Sequence, residues 1–74
     1  MKIENMELRR TNERATVWIS GTENGWKAQQ ALCNVYEVSG VLVAINPFNH
    51  RPMFVVANYD ELMDAARALA RRSK

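Results

Sequence analysis

VLVAIN at residues 41–46, PFNHRP at 47–52, MFVVAN at 53–58 and YDELMDAARALARR at 59–72 are the consecutive stretches that decide the fold. The first and third are apolar at nearly every position, which is typical of strands that are buried on both faces. The last has the spacing of an amphipathic helix. Because one helix covers only one face of a sheet, the sequence predicts that something else covers the other face: a second helix, a second copy of the chain or a different partner.

The C-terminal helix has clear start and stop signals. Asn58 is the candidate N-cap, and Glu61 follows it at the spacing of a capping box. The apolar residues of the helix share one face and are predicted to pack on the sheet: Tyr59, Leu62, Met63, Ala66, Leu69 and Ala70. The other end of the helix is basic, which favours stabilisation of the helix dipole over a phosphate-contacting patch: Arg67, Arg71, Arg72 and Lys74.

The upstream half of the chain predicts strands. Residues 1–10 have the alternation of an edge strand, and residues 11–13 form a plausible turn. Residues 14–20 alternate more clearly, with Ala15, Val17 and Ile19 on one face and Trp18 on the other.

The third strand is the ambiguous element. The Asn-Gly pair at residues 24–25 indicates a hairpin turn, so a long strand is expected from Trp26 to about Val38. If this long strand is right, Trp26 and Tyr36 have the same parity and share a face. The alternative is a short helix over about 24–33, because several residues there are good helix formers.

These elements predict an α+β fold in one domain over residues 1–74. The favoured form is an antiparallel sheet of four or five strands, with the amphipathic helix at 59–72 on one face. The alternative with a helix at about 24–33 would have the order ββαββα.

Composition limits the function classes. Cys33 is the only cysteine of the 74 residues, so no intrachain disulfide can form and a cytoplasmic setting is expected. No apolar run is long enough to span a membrane, and the N-terminus has no signal-peptide pattern. A formal net charge of +2 does not require a nucleic-acid partner.

Aromatic residues and one loop are the candidate protein-binding residues. Trp18, Trp26 and Tyr36 are expected on the sheet surface, and such side chains often anchor interfaces. Phe48, His50 and Arg51 lie in the loop between the two apolar strands, with a proline at each end. Core packing of the tryptophans and a plain connector loop are the alternatives.

Basic residues give the second candidate surface. Arg9, Arg10 and Arg14 surround the first turn, and Lys27 follows Trp26. Together with sheet aromatics they could contact single-stranded DNA or RNA. The alternative is a charged edge that prevents aggregation.

No catalytic, cofactor or metal signature is visible. The sequence has no paired carboxylates, no nucleophile with a nearby base, no Gly-rich phosphate loop and no Cys/His cluster. A non-enzymatic protein without a cofactor is therefore expected.

The size and element order resemble two groups of small proteins. One is the sheet-plus-helix single-stranded DNA binders, in which four strands precede one helix and two chains pair. The other is the small stand-alone inhibitors of phages and mobile elements. The sequence favours a homodimeric protein-binding module, an inhibitor or adaptor that occludes its partner's surface, over a nucleic-acid binder.

Overall fold

The computed structural model of the chain describes residues 2–11 and 14–72. Its elements follow the order β1 (Lys2–Arg10), β2 (Ala15–Glu23), β3 (Trp26–Val38), β4 (Val41–Ile45), β5 (Pro52–Val56) and α1 (Tyr59–Arg72). The strands form one sheet in the order β1-β2-β3-β4-β5, and each neighbouring pair is antiparallel. The predicted α+β fold, with an antiparallel sheet and a C-terminal helix, is confirmed.

Two tight turns connect the central strands. Asn24 and Gly25 have φ values of 52° and 83°, and Ser39 and Gly40 have values of 52° and 82°. Two-residue hairpin turns need this left-handed backbone, which Asn and Gly adopt at low cost. The alternative helix over about 24–33 is wrong, because these residues form the first turn and the beginning of β3.

The turn between β1 and β2 is described only at its ends. The N–H of Thr11 donates to the carbonyl oxygen of Arg14 at 2.8 Å, and the Thr11 hydroxyl donates to the same oxygen at 3.0 Å. The rest of the turn predicted at 11–13 lies outside the described residues, as does Lys74 at the basic end of the chain.

The hydrophobic core lies between α1 and one face of the sheet. Leu62 and Ala66 of the helix are fully buried against Val17 and Cys33 of the central strands. Leu42 and Ala44 of β4 also face the helix and are buried, as their alternation predicts. On the helix, Ala70 is buried, whereas Leu69 is only half-buried. Small side chains therefore line much of the contact and let the helix lie close to the sheet.

Asn58 begins the helix as predicted. Its side-chain oxygen accepts a hydrogen bond from the N–H of Glu61 at 2.9 Å, and its carbonyl accepts one from Leu62 at 3.0 Å. The Glu61 carboxylate in turn accepts a hydrogen bond from the N–H of Ala57 at 2.8 Å. This is the reciprocal arrangement of a capping box, shifted by one residue on the return bond.

A bulge in β3 changes which face its residues occupy. Val17 pairs with Cys33, but the next residue, Trp18, pairs with Ala31, so Leu32 is an extra residue. An odd-numbered residue of β3 therefore lies on one face of the sheet before Leu32 and on the other face after it. A second irregularity, between β4 and β5, has a related effect. Met53 packs against the core, although regular alternation predicts that it lies on the same face as the exposed Val55.

A third irregularity brings β1 very close to β2. The register shifts between Ile3 and Asn5, and Ile3 pairs with the buried Gly21. A Cβ atom at Gly21 would lie 1.8 Å from the Lys2 carbonyl oxygen. Glycine is therefore required here for space, because the backbone of β1 occupies the position of a side chain.

Within residues 2–11 and 14–72, no helix is both long and apolar enough to span a bilayer.

Candidate functional site

The face of the sheet that is opposite α1 is the principal candidate surface, and we call it the open face. Alternation from the buried core residues, together with the strand registers, places the following side chains on it: Asn5, Glu7 and Arg9 of β1, Thr16, Trp18, Ser20 and Thr22 of β2, Lys27, Gln29, Ala31, Asn34, Tyr36 and Val38 of β3, Val41, Val43 and Ile45 of β4, and Val55 of β5. No described helix or loop covers these strands from that side, since α1 packs on the other face. The predicted uncovered face is therefore present in the isolated chain.

One half of the open face is apolar. Val38, Val41 and Val55 are 51 %, 37 % and 59 % exposed. Tyr36 pairs with Val43, and Val43 pairs with Val55, so their side chains form a row across three neighbouring strands. A contiguous apolar row on a sheet surface is typical of a contact region.

The other half of the open face is polar but largely self-satisfied. The Thr16 hydroxyl donates to Asn34 Oδ1 at 3.0 Å across β2 and β3. The Arg9 guanidinium lies over the Trp18 ring, 4.9 Å from its centroid, and also forms an ion pair with Glu7. The stacked arginine and its carboxylate partner neutralise each other at the edge of the face.

Trp18 and Tyr36 both lie on the open face, as expected for candidate protein-binding residues. The Thr16–Asn34 pair separates them by about 13 Å along the strands. Trp26 does not share this face: it pairs with Glu23, on the side of the sheet to which Val17 points. The expectation that Trp26 and Tyr36 share a face is wrong, because the bulge at Leu32 reverses the alternation between them.

Trp26 is instead the exposed tip of a long hairpin. It is 79 % exposed and follows the turn at Asn24 and Gly25. β4 pairs with β3 only from Asn34 to Val38, so the part of the hairpin that carries Trp26 extends past the end of β4.

The loop with Phe48, His50 and Arg51 is ordered by Asn46. The side-chain oxygen of Asn46 accepts hydrogen bonds from the N–H groups of Phe48 at 2.8 Å and Asn49 at 3.2 Å. The Asn46 carbonyl accepts another from His50, which has a φ of 61°. Phe48, His50 and Arg51 are exposed. Sequence reasoning missed the role of Asn46, although an Asn before a Pro is a known turn signal.

The candidate nucleic-acid residues do not converge on one surface. Arg9 lies on the open face, whereas Arg10 points to the helix side, with its guanidinium 4.0 Å from the centroid of the Tyr59 ring. Arg10 and Arg14 line a separate cavity of about 400 Å³ together with Glu37 and Tyr59. Lys27 pairs with Thr22 and therefore lies on the open face with Arg9, but at the far end of the hairpin, about 20 Å from Arg9 along the strands.

A groove between β1 and the end of α1 is a second surface, which the sequence did not predict. We call it the β1–α1 groove. It has a volume of about 440 Å³ and is lined by Lys2, Ile3, Glu4, Asn5 and Met6 of β1 and by Arg67, Ala70 and Arg71 of α1. Its described lining combines an apolar part with three cations and one carboxylate. The approach of the first β1 residues to the end of the helix could not be seen in either segment alone.

Cys33 is a core residue. Its side chain is fully buried, and burial raises the pKa of its thiol from 9.0 to about 11, although a hydrogen bond with the backbone of Val17 opposes this shift. A protonated, inaccessible thiol is a poor nucleophile. Among the residues that the structure describes, no three His, Cys, Asp or Glu side chains are grouped as metal ligands would be.

Comparison of the chain with protein-family models, curated proteins and solved structures found no match.

Proposed function

We propose that this chain is a non-enzymatic protein-binding module that uses its open face to cover a surface of a protein partner, and that a second copy of the chain is its first partner. The observation that carries the proposal is the exposed apolar row around Tyr36, Val43 and Val55. Removing such a row from water is favourable at about 25 cal/mol per Å² of apolar surface. A partner that covers it supplies the second layer that a sheet normally has.

The electrostatic character of the open face favours a protein partner over a phosphate backbone. The side chains on its β4 and β5 strands are aliphatic, and its cationic residue nearest the centre, Arg9, is engaged by Glu7 and Trp18. Nucleic-acid binders need cations that are available to phosphates. The Thr16–Asn34 hydrogen bond also permits burial, because both polar groups already have a partner.

A second copy fits the open face because the same apolar row can pack on itself about a two-fold axis. Two-fold self-association is the commonest oligomer geometry. Face-to-face packing of two sheets, about 10 Å apart, would make a core from the two valine rows. Trp18 would then lie at the margin of the contact, where aromatic residues are frequent anchors.

A role as an inhibitor or adaptor belongs to the same proposal. A small chain that covers a functional surface of another protein needs no reactive group of its own. The buried, protonated Cys33 is consistent with this role and with the cytoplasmic setting expected for a chain with one unpaired thiol.

The test compares two variants that add the same charge. Val55→Lys places an ammonium group in the apolar row, whereas Ala68→Lys places one on the exposed side of α1. Light scattering and sedimentation at micromolar concentration should show a dimer for the parent and for Ala68→Lys. Val55→Lys should weaken the dimer by about tenfold or more, because the buried ammonium loses its hydration. A parent chain that is monomeric, with its open face unprotected, would contradict self-association through this face.

Nucleic-acid binding is the alternative outcome. Fluorescence anisotropy with short oligonucleotides at about 150 mM salt should give no affinity better than the non-specific range of about 10⁻⁴–10⁻⁶ M. Sub-micromolar binding that weakens when Arg9, Arg10 and Arg14 are all replaced by alanine would favour the nucleic-acid function.

A further inference from the structure

The β1–α1 groove combines two features that point to an extended ligand. β1 is one of the two edge strands of the sheet, and among the described strands it is paired only with β2. Its outer N–H and C=O groups are therefore in the geometry that another strand can use. Directly beside this edge, the groove offers a lined volume of about 440 Å³.

We propose that the β1–α1 groove binds an extended acidic peptide segment of a protein partner, which adds to the outer edge of β1 as a sixth strand. The regular part of β1, from Asn5 onwards, supplies backbone hydrogen bonds, and the end of the added strand enters the groove beside Met6. Backbone pairing gives affinity in such complexes, and pockets for alternate side chains give specificity. This surface is separate from the open face, so the inference goes beyond the function proposed above.

The acidic character of the ligand follows from the charges of the groove. Among the described residues, Lys2, Arg67 and Arg71 line it, against one carboxylate, that of Glu4. Arg67 pairs with Asp64, but both side chains of this pair are more than half exposed, so solvent screens the pair strongly. Every second side chain of an added strand points to the helix side of the sheet, which is where Arg67 and Arg71 lie.

The apolar component of the ligand follows from the remaining lining residues. Ile3 and Met6 are half-buried, and Ala70 is buried beneath them at the end of the helix. An aliphatic side chain on the ligand can contact all of them. Side chains two residues apart on a strand share a face, so a carboxylate and an aliphatic side chain at positions i and i+2 of the ligand are the pattern that this groove fits.

Two other occupants fit the groove less well. The part of its lining that the structure describes contains no aromatic side chain on which a base could stack, so single-stranded nucleic acid lacks its usual second contact there. A second copy of β1 would bring Lys2, Arg9 and Arg10 against Glu4 and Glu7, which is more positive than negative charge. Neither occupant supplies an acidic, partly aliphatic strand that would complement the charges and the apolar residues of the groove.

The experiment uses the full chain and a short fluorescent peptide with the repeat Glu-Thr-Val-Thr, in which glutamate and valine take successive positions on one face of the strand. Anisotropy should show saturable binding that weakens as salt rises, since the contacts are between exposed charges. A peptide with lysine in place of glutamate should not bind. A third peptide, N-methylated at alternate residues on its pairing edge, keeps the charges but cannot donate to β1, and it should also fail to bind.

Matched protein variants locate the site. Arg71→Glu should weaken binding of the glutamate peptide by about three- to tenfold, the range of a few exposed ion pairs. Arg51→Glu makes the same charge change in the loop before β5, at the opposite edge of the sheet and about 19 Å away across four strand spacings, and should leave binding unchanged. Lys2→Glu provides a second groove variant in case Arg71→Glu destabilises the helix, and thermal melting identifies which variants are folded.

Four results would overturn the proposal. Two of them are equal binding of the glutamate and lysine peptides and equal binding of the N-methylated peptide. In the third, a single-stranded oligonucleotide of the same charge displaces the glutamate peptide. In the fourth, self-association of the chain through β1 displaces it. The open-face variant Val55→Lys separates this proposal from the previous one, because it should dissociate the dimer and leave peptide binding intact.

Discussion

Replacing Gly21 by alanine should detach or displace the beginning of β1. The new Cβ atom would lie 1.8 Å from the Lys2 carbonyl oxygen, 2.8 Å from the Lys2 carbonyl carbon and 3.1 Å from the Glu4 nitrogen. Non-bonded heavy atoms pack at about 3.5–4.0 Å. All three neighbours are backbone atoms, so no side-chain rotation can relieve the overlap, and β1 must move by more than about 1 Å.

The loss in the free energy of unfolding caused by Gly21→Ala lies between two limits. Overpacking in a core typically costs about 1–3 kcal/mol, and a rigid backbone neighbour places this substitution near the upper end of that range. If the first residues of β1 detach instead, the loss is limited to the contacts of the half-buried Ile3 and a few backbone hydrogen bonds. We therefore expect a loss of about 2–3 kcal/mol, which for a domain of this size lowers the melting temperature by about 10–20 °C.

Thermal unfolding followed by circular dichroism measures this loss, and amide hydrogen exchange shows where it arises. Ser20→Ala, at the neighbouring position on the open face, is the control and should melt close to the parent. Exchange should accelerate at residues 2–6 and remain slow in the central strands. A Gly21→Ala chain that melts within a degree or two of the parent, with unchanged protection at residues 2–6, would refute the close approach of β1.

Two further predictions concern the core. Leu62→Ala should lower the free energy of unfolding by about 2–5 kcal/mol, because Leu62 is fully buried. Leu69→Ala should lower it by less, because Leu69 is half-buried. Equal melting temperatures for the two variants would contradict the orientation of α1. Cys33 should resist alkylation in the folded chain, and the contribution of its thiol to stability should be constant below about pH 9 and fall as the pH rises towards 11, because the unfolded thiol ionises before the folded one. A Cys33→Ala chain should lack that alkaline component, and rapid labelling of native Cys33 near pH 8 would show that the thiol is not buried.

Local sequence patterns predicted most of the fold because their causes are local. The Asn-Gly and Ser-Gly turns adopt positive φ irrespective of what packs around them, and they divide the chain into hairpins. The start of α1 was predictable for the same reason, since Asn58 caps a residue only three positions away. The open face followed from counting apolar positions on β4 and β5 against the single helix available.

The candidate sites were only partly predictable, because each depends on residues far apart in the chain. Trp18 and Tyr36 lie on the open face, as alternation indicates, but the bulge at Leu32 moves Trp26 to the other face. A bulge arises from pairing with another strand, so strict alternation cannot reveal it. The β1–α1 groove was not predicted at all, since Met6 and Arg67 come from opposite ends of the sequence.

The sequence by itself determined that a sheet with apolar side chains on both faces meets one helix, because the number of apolar positions exceeds what one helix can cover. The tertiary structure alone decided which face the helix takes. Val43 and Leu42 are both aliphatic, yet α1 packs on the side of Leu42 and Ala44. On that side, Ala44 meets a helix whose own contact residues include Ala66, and small side chains on both surfaces allow close packing. The β-branched valines of the opposite side remain uncovered by the helix.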